Sequence, residues 1–262
     1  MDRNSVLAGF PLICAVSMQK GLRRMAAARS SGASPALAVE INVLSGAAVE
    51  PGLVAAADIF RKQTGSNVVI TYATTPEMRR LIDVGASPDV AIAPPTLLDE
   101  LAKSAKVDGA TRVLLGRVGI GVVIRDGAPT PDVSTTEALK RAVLDADSVV
   151  YNRASSGLYV ERLLQRLGLA EQIQSKTKRY TGTDMIEPLI QGKGKEIGFM
   201  PVAQILHCRG RGLQLVGPLP ADIQNYTTYA AAPAPNSEGG QAFVRFLGTS
   251  EAKGVFVSAG IE

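Results

Sequence analysis

Four short turns hold most of the residues able to bind a solute. They are Ser45-Gly46-Ala47-Ala48, Ala73-Thr74-Thr75, Asn152-Arg153-Ala154-Ser155-Ser156-Gly157 and the stretch 182–184. Each sets small or polar residues just ahead of a segment with helical character. The first amides of a helix lack an internal acceptor and sit at the positive end of its dipole, so such turns are ready sites for an anion. Arg153 adds a guanidinium that can pair with an anion or stand solvated on the rim. Thr75 and Ser156 read equally as helix caps with no ligand. Ser45, Gly46 and Ala47 can be small for close backbone packing alone. Glu50, just past the first turn, suits a helix dipole but repels a nearby anion.

Groups for covalent or metal chemistry are sparse. The chain has a single histidine. His207 and Cys208 are neighbours, and neighbours on a helix point about 100° apart, which disfavours a joint metal site or a Cys–His nucleophile. Ser250-Glu-Ala-Lys253 matches Ser-x-x-Lys without its companion motifs. The glycines near Lys193, Lys195, Arg209 and Arg211 form no G-x-x-x-x-G-K-[ST] loop. Asp89 follows a Gly-Ala turn and reads as a loop anchor. The expectation is a binding protein, not an enzyme, with no cofactor and no metal.

The elements that must position these turns read as alternating strands and helices. In 39–95 the order is strand, turn, helix, strand, turn, helix, strand. Pro51 suits the first turn of a helix through Arg61, and Pro76 opens the next, which Gly85 ends. Residues 113–124 form a long β-rich run, and 225–233 a second, both long enough to cross between domains. Ser134 with Glu137 and Asp184 with Glu187 read as capping pairs. Strand 148–151 leads through the 152–157 turn to a helix over 158–167, closed by Gly168. Strands at 177–180, 196–200 and 213–216 and helices over 241–247 and 251–258 complete the pattern. Alternation of this kind predicts an α/β fold with mostly parallel sheet, and ligands gather at the carboxyl ends of its strands.

Composition narrows the classes. The 262 residues are 46% hydrophobic and 20% charged, with a net charge of +4. Residues 1–38 hold five of the 28 basic side chains and one of the 24 acidic ones, which leaves 23 of each in the rest. The body is thus neutral, and aromatics make up only 5%. Both observations argue against nucleic acid as a partner. The segment 5–18 is apolar but too short to span a bilayer. With basic residues at 20–24 and the small-x-small ending Ala36-Leu37-Ala38, residues 1–38 read as an atypical export signal, the alternative being a leader on a cytoplasmic protein. Cys14 and Cys208 are the two cysteines; removal of the leader leaves one.

A series of segments, in order along the chain, carries a family resemblance. Ile41-Asn-Val-Leu-Ser-Gly-Ala-Ala, Phe60-Arg-Lys-Gln-Thr-Gly-Ser-Asn-Val, Tyr72-Ala-Thr-Thr and Gly85-Ala-Ser-Pro-Asp89 resemble, in order, the amino-terminal half of periplasmic molybdate-binding proteins of ABC importers. Ser156-Gly-Leu-Tyr-Val with Glu196-Ile-Gly-Phe-Met resembles their second half, and Phe243 to Phe256 resembles the common ending. The resemblance implies a two-lobed clam of the type II periplasmic-binding-protein fold, with lobe one at 39–115 plus 226–262, lobe two at 116–225, and two crossing hinge strands. It also implies a monomeric periplasmic receptor that hands a small anionic or polar solute to an ABC permease in the inner membrane. The same module without transport would serve as a sensor.

The family holds its oxyanion with two lobe-one hydroxyls, lobe-two backbone amides and a tyrosine. Carried over, the first hydroxyl falls on Ala48 and is missing, with Ser45 as a possible replacement. The second falls on Thr75, one amide on Ser156, another near Met185, and the tyrosine on Pro201. A hydrogen bond to a charged group is worth about 1.5–3 kcal/mol. Two losses therefore cost about 3–6 kcal/mol, or on the order of 10²–10⁴ in affinity, unless Ser45, Asn152 or Ser155 compensates. The expected ligand is a different small organic anion or oxyanion.

Overall fold

The computed structural model describes residues 39–262; the segment read as an export signal and Cys14 lie outside them. In chain order the elements are β1 (Glu40–Ser45), α1 (Glu50–Thr64), β2 (Asn67–Tyr72), α2 (Thr75–Asp83), β3 (Val90–Ala93), α3 (Pro95–Lys103) and β4 (Val113–Arg125). There follow α4 (Thr136–Asp145), β5 (Ser148–Asn152), α5 (Ser155–Arg166), α6 (Ala170–Ile173), β6 (Thr177–Tyr180), α7 (Ile186–Ile190) and β7 (Glu196–Pro201). The chain ends with α8 (Val202–His207), β8 (Leu213–Pro218), β9 (Tyr226–Pro233), α9 (Glu238–Leu247) and α10 (Ser250–Ser258).

The fold is α/β and two-lobed. The strand order is β2-β1-β3-β9-β4-β7-β5-β6, with β8 also on β4. β1 pairs in parallel with β2 and β3, and β5 in parallel with β6 and β7. Every antiparallel pairing among the described strands includes β4 or β9. β4 changes partners midway: Val113–Gly119 lies along β9, and from Ile120 onward the strand pairs with β7, and from Gly121 also with β8. At the change-over, Gln224 takes the place of a strand neighbour. Its Oε1 accepts from the Ile120 N–H at 2.9 Å and its Nε2 donates to the Ile120 carbonyl at 2.9 Å. Nearby the Arg117 guanidinium lies 4.1 Å from the Tyr226 ring centroid, within cation–π range.

Each lobe buries both faces of its sheet, as a parallel sheet must. On one face of the first sheet, α1 presents Leu53, Ala56, Ala57 and Phe60, the i, i+3, i+4, i+7 spacing of a single helical stripe, to Phe243, Leu247 and Phe256 of α9 and α10. Phe60 and Phe243 meet edge to face, centroids 5.1 Å apart. The other face packs Met78, Ile82, Leu97 and Leu98 of α2 and α3. In the second lobe, Leu139, Val160 and Leu163 cover one face and Met185, Leu189 and Ile205 the other.

Local expectations fare unevenly. Pro51 lies in the first turn of α1, though the helix runs on to Thr64 before Gly65 ends it in the left-handed region. Asp89 does anchor a loop, accepting from the Asn42 N–H at 2.8 Å and the Ser237 hydroxyl at 2.7 Å. The Ser134 cap is corrected: Thr135 caps α4 by accepting from the Ala138 N–H at 3.1 Å, because Ser134 donates instead to Asp132. The Asp184 cap is corrected too, since Met185 precedes α7 and makes no side-chain cap. The helix expected over 158–167 starts at Ser155, three residues early.

Phe243 is fully buried at the centre of the first lobe's aromatic contacts. Phe243→Ala is expected to lower the unfolding free energy by about 3–5 kcal/mol. Urea denaturation measures this, and a loss under about 1 kcal/mol would mean that the first core is not built around this ring.

Candidate functional site

The Ser45–Ala48 and Ala73–Thr75 turns lie side by side because β1 and β2 are parallel and in register, Ser45 against Tyr72. The Ala73 N–H donates to the Ser45 carbonyl at 3.0 Å, and the Gly46 N–H to the Ile92 carbonyl at 3.0 Å, which ties the first turn to β3. Ser45 is fully buried and its hydroxyl donates to the Gly46 carbonyl at 3.1 Å. What the first turn offers outward is therefore backbone. Residues 47–49 form a 3-10 turn, entered from Gly46 without a side-chain cap and running straight into α1. Among the described hydrogen bonds none uses the Ala47 or Ala48 N–H. In the second turn Thr74 is the cap of α2, accepting from the Glu77 N–H at 3.4 Å, and Thr75 is the first helical residue.

Across the molecule, Asn152 ends β5 and is buried. Its side-chain oxygen accepts from the Ala154 N–H at 3.0 Å and lies 3.5 Å from the Ser156 hydroxyl, holding the turn in shape. Arg153 is exposed, and its N–H reaches the Tyr180 carbonyl at the end of β6. α5 begins without a side-chain cap, so the first amides of this twelve-residue helix have no capping acceptor. Gly157 is there for space. A Cβ would fall 1.7 Å from the Asn152 carbonyl oxygen, a distance no side chain tolerates. Met185 is buried in the second lobe's core, and Pro201 ends β7 in register with Ile120.

Tyr229 of β9 brings the two sides together, and sequence reasoning did not single it out. Its ring lies on Gly46, where a Cβ would come within 2.7 Å of the ring. Its hydroxyl faces the Ser155 side chain at the start of α5. A second bridge runs from the Gln204 amide of α8 to the Ala47 carbonyl, 3.2 Å. Glu50, Tyr72 and His207 lie around these contacts: burial holds the Glu50 carboxyl above the usual carboxylate range, and burial with the nearby Glu50 charge pushes the Tyr72 phenol up. The available signal for Tyr72 and Tyr229 was position alone, one at the end of a strand leading into a polar turn and the other within a crossing strand. Two cavities, of about 540 and 330 Å³, lie elsewhere, beside Pro218 and Tyr226 and beside Glu161 and Arg179. Among the described residues no three His, Cys, Asp or Glu side chains converge to hold a metal, and no helix is long and apolar enough to cross a membrane.

Sequence comparison decides the family. The family model for bacterial extracellular solute-binding proteins matches residues 41–262. The chain belongs to this family. As a solute-binding protein it shares its fold with the periplasmic molybdate-binding protein of Azotobacter vinelandii, at 18% identity and a TM-score of 0.68 over 85% of this chain and 98% of that one. The sulfate-binding protein SubI from Mycobacterium tuberculosis H37Rv matches at 19% identity and a TM-score of 0.65, over 85% of this chain and 86% of that one. Among curated proteins this solute-binding protein is 26% identical to an aconitate isomerase from a Pseudomonas species, over 231 residues, 85% of this chain and 87% of the relative.

Burial raises the Tyr229 phenol to about 12 and lifts Tyr72 as well. In the unfolded chain both titrate near their ordinary value of about 10, so the folded state holds their protons longer. Their contribution to stability is complete below about pH 10 and is lost as pH rises toward the folded values. Thermal midpoints are expected to fall above about pH 10, less steeply in Tyr72→Phe/Tyr229→Phe than in the parent chain. Parallel curves for the two proteins would contradict the burial of these phenols.

Proposed function

We propose that this chain is the solute receptor of an ABC-type importer, exported to the periplasm, and that it binds a small anionic or polar solute between its two lobes. Lobe one is taken as 39–115 plus 226–262 and lobe two as 116–225, with β4 and the start of β9 as the hinge. The observation that carries the reading is the pair of uncapped helix starts with Tyr229 beside both. The amides of Ala47 and Ala48 stand on one side, and those of Ser155, Ser156 and Gly157 on the other. Unspent amides at a helix start need a partner, and an anion is the partner their charge favours. Thr74, Thr75, Asn152 and Arg153 border the same turns. Ser45 shapes the first turn from inside, and Met185 and Pro201 occupy the remaining positions implied by the resemblance.

Family membership supports the receptor role, and fold-sharing with molybdate- and sulfate-binding proteins supports the anion. With Ala48 and Pro201 where the resemblance asks for hydroxyls, molybdate is expected to bind weakly. Closure of the lobes on the solute gives a membrane permease a state to recognise. Sensing without transport is the same chemistry with another partner, and co-purification of a permease with the membrane fraction separates the two. A second reading, isomerisation of an unsaturated acid, has one observation in its favour, the 26% identity to an aconitate isomerase. Interconversion of cis- and trans-aconitate followed by proton NMR decides it, and this chain is expected to show no turnover.

A solute that binds only the folded chain stabilises it by about 2.7 kcal/mol at 100 times its Kd. Thermal scans against molybdate, sulfate, phosphate and small organic acids are expected to show such a shift for at least one. Tyr229→Phe is expected to weaken that binding by about tenfold, the worth of one hydrogen bond. No shift with any anion in the panel would refute the proposal.

A further inference from the structure

Two polar groups in the cleft are left over once the amides and Tyr229 are assigned. Tyr72 closes β2, and its phenolic oxygen is enclosed with no hydrogen-bond partner. Glu50 opens α1 directly after the 47–49 turn, is half-buried, and receives no hydrogen bond from any described residue. The two are close enough that the carboxylate disfavours ionisation of the phenol. His207, on α8 of the opposite lobe, neighbours Glu50, and Arg211 lies 3.5 Å from its ring. α8 packs over the start of α1, where the Gln204 amide donates to the Ala47 carbonyl at 3.2 Å.

The enclosed Tyr72 phenol is costly without a partner, and the half-buried Glu50 carboxylate beside it can only accept. Sulfate and molybdate can accept from Tyr72 but bring no donor to Glu50. They are acceptors only, and their charge is repelled by Glu50. An acid that retains an O–H of its own can donate to Glu50, accept from Tyr72 and still offer negative oxygen to the amides of Ala47 and Ala48. We infer that Glu50 and Tyr72 select acids that carry a hydrogen-bond donor, either a hydroxy-carboxylic acid or a protonated oxyanion, over acceptor-only anions. This rests on the cleft being the binding site. Glu50 is then a specificity-determining residue, and its repulsion of the wrong anion matters as much as its attraction of the right one.

The test uses two matched pairs on the purified chain by isothermal titration calorimetry at pH 7. Inorganic phosphate against sulfate examines the protonated oxyanion; malate against succinate examines the hydroxy acid. At least one donor-bearing member is expected to bind about tenfold or more tightly than its counterpart. Glu50→Gln, whose amide neither repels nor demands a donor, is expected to bring that pair within about threefold, chiefly by tightening the acceptor-only member. Tyr72→Phe is expected to weaken the donor-bearing member. Thermal midpoints close to the parent's establish that the variants fold. Pairs that bind equally in the parent chain, or a preference that survives Glu50→Gln, overturn the selectivity and leave the anion cleft standing. Absence of binding by all four probes overturns both.

Discussion

The Tyr229 ring occupies the space that a side chain at position 46 would need, and much of the cleft follows from that contact. Gly46 lets the first turn close down on the ring, and the chain enters α1 without a side-chain cap. Because Tyr229 stands on a crossing strand, its hydroxyl reaches the start of α5, which belongs to the other lobe's core. One residue thus lies against the first turn and beside the start of α5. The stitching beneath it is ordinary sheet chemistry. Ser45, Ala73 and Ile92 pass backbone hydrogen bonds between neighbouring strand ends, so the first two turns cannot move independently.

The proposed cleft differs from the oxyanion site of side-chain hydroxyls that the resemblance implies. Ala48 contributes only an N–H, and Pro201 neither N–H nor hydroxyl. Hydroxyls return from other directions: Tyr229 from the crossing strand and Tyr72 from the end of β2. Glu50 sets the sign of the balance. A carboxylate at the entrance of α1 is favoured by the helix dipole, yet it taxes any anion that brings no proton. The proposed site combines positive backbone ends with one negative side chain, the basis of the inferred preference for a ligand with both acceptors and a donor.

Much of the framework was legible in the residues. Pro51, Pro76, Gly85 and Gly168 mark helix ends by constraints local to each residue, and the two long β-rich runs were readable as crossings. The turns at 45–48, 73–75 and 152–157 do fall at carboxyl ends of parallel strands. Caps were harder. Ser134 lost to Thr135 because Asp132 competes for its hydroxyl, and Ser155 starts α5 although the sequence places polar residues there as a loop. Tyr229 and Tyr72 were out of reach for a different reason. Their roles come from which strands become neighbours, 46 with 229 and 72 with 50, and sequence spacing carries no record of that. Ser45, read as a replacement hydroxyl, is turned inward by the register of β1.

Backbone amide chemical shifts, followed by ¹H–¹⁵N NMR while a binding anion such as phosphate or malate is added, test the central claim most directly. The account predicts that the amides of Ala47 and Ala48 and those of Ser155, Ser156 and Gly157 shift together and saturate with one dissociation constant, since one solute contacts both lobes. Shifts confined to one of the two turns, or two separate binding curves, would contradict it.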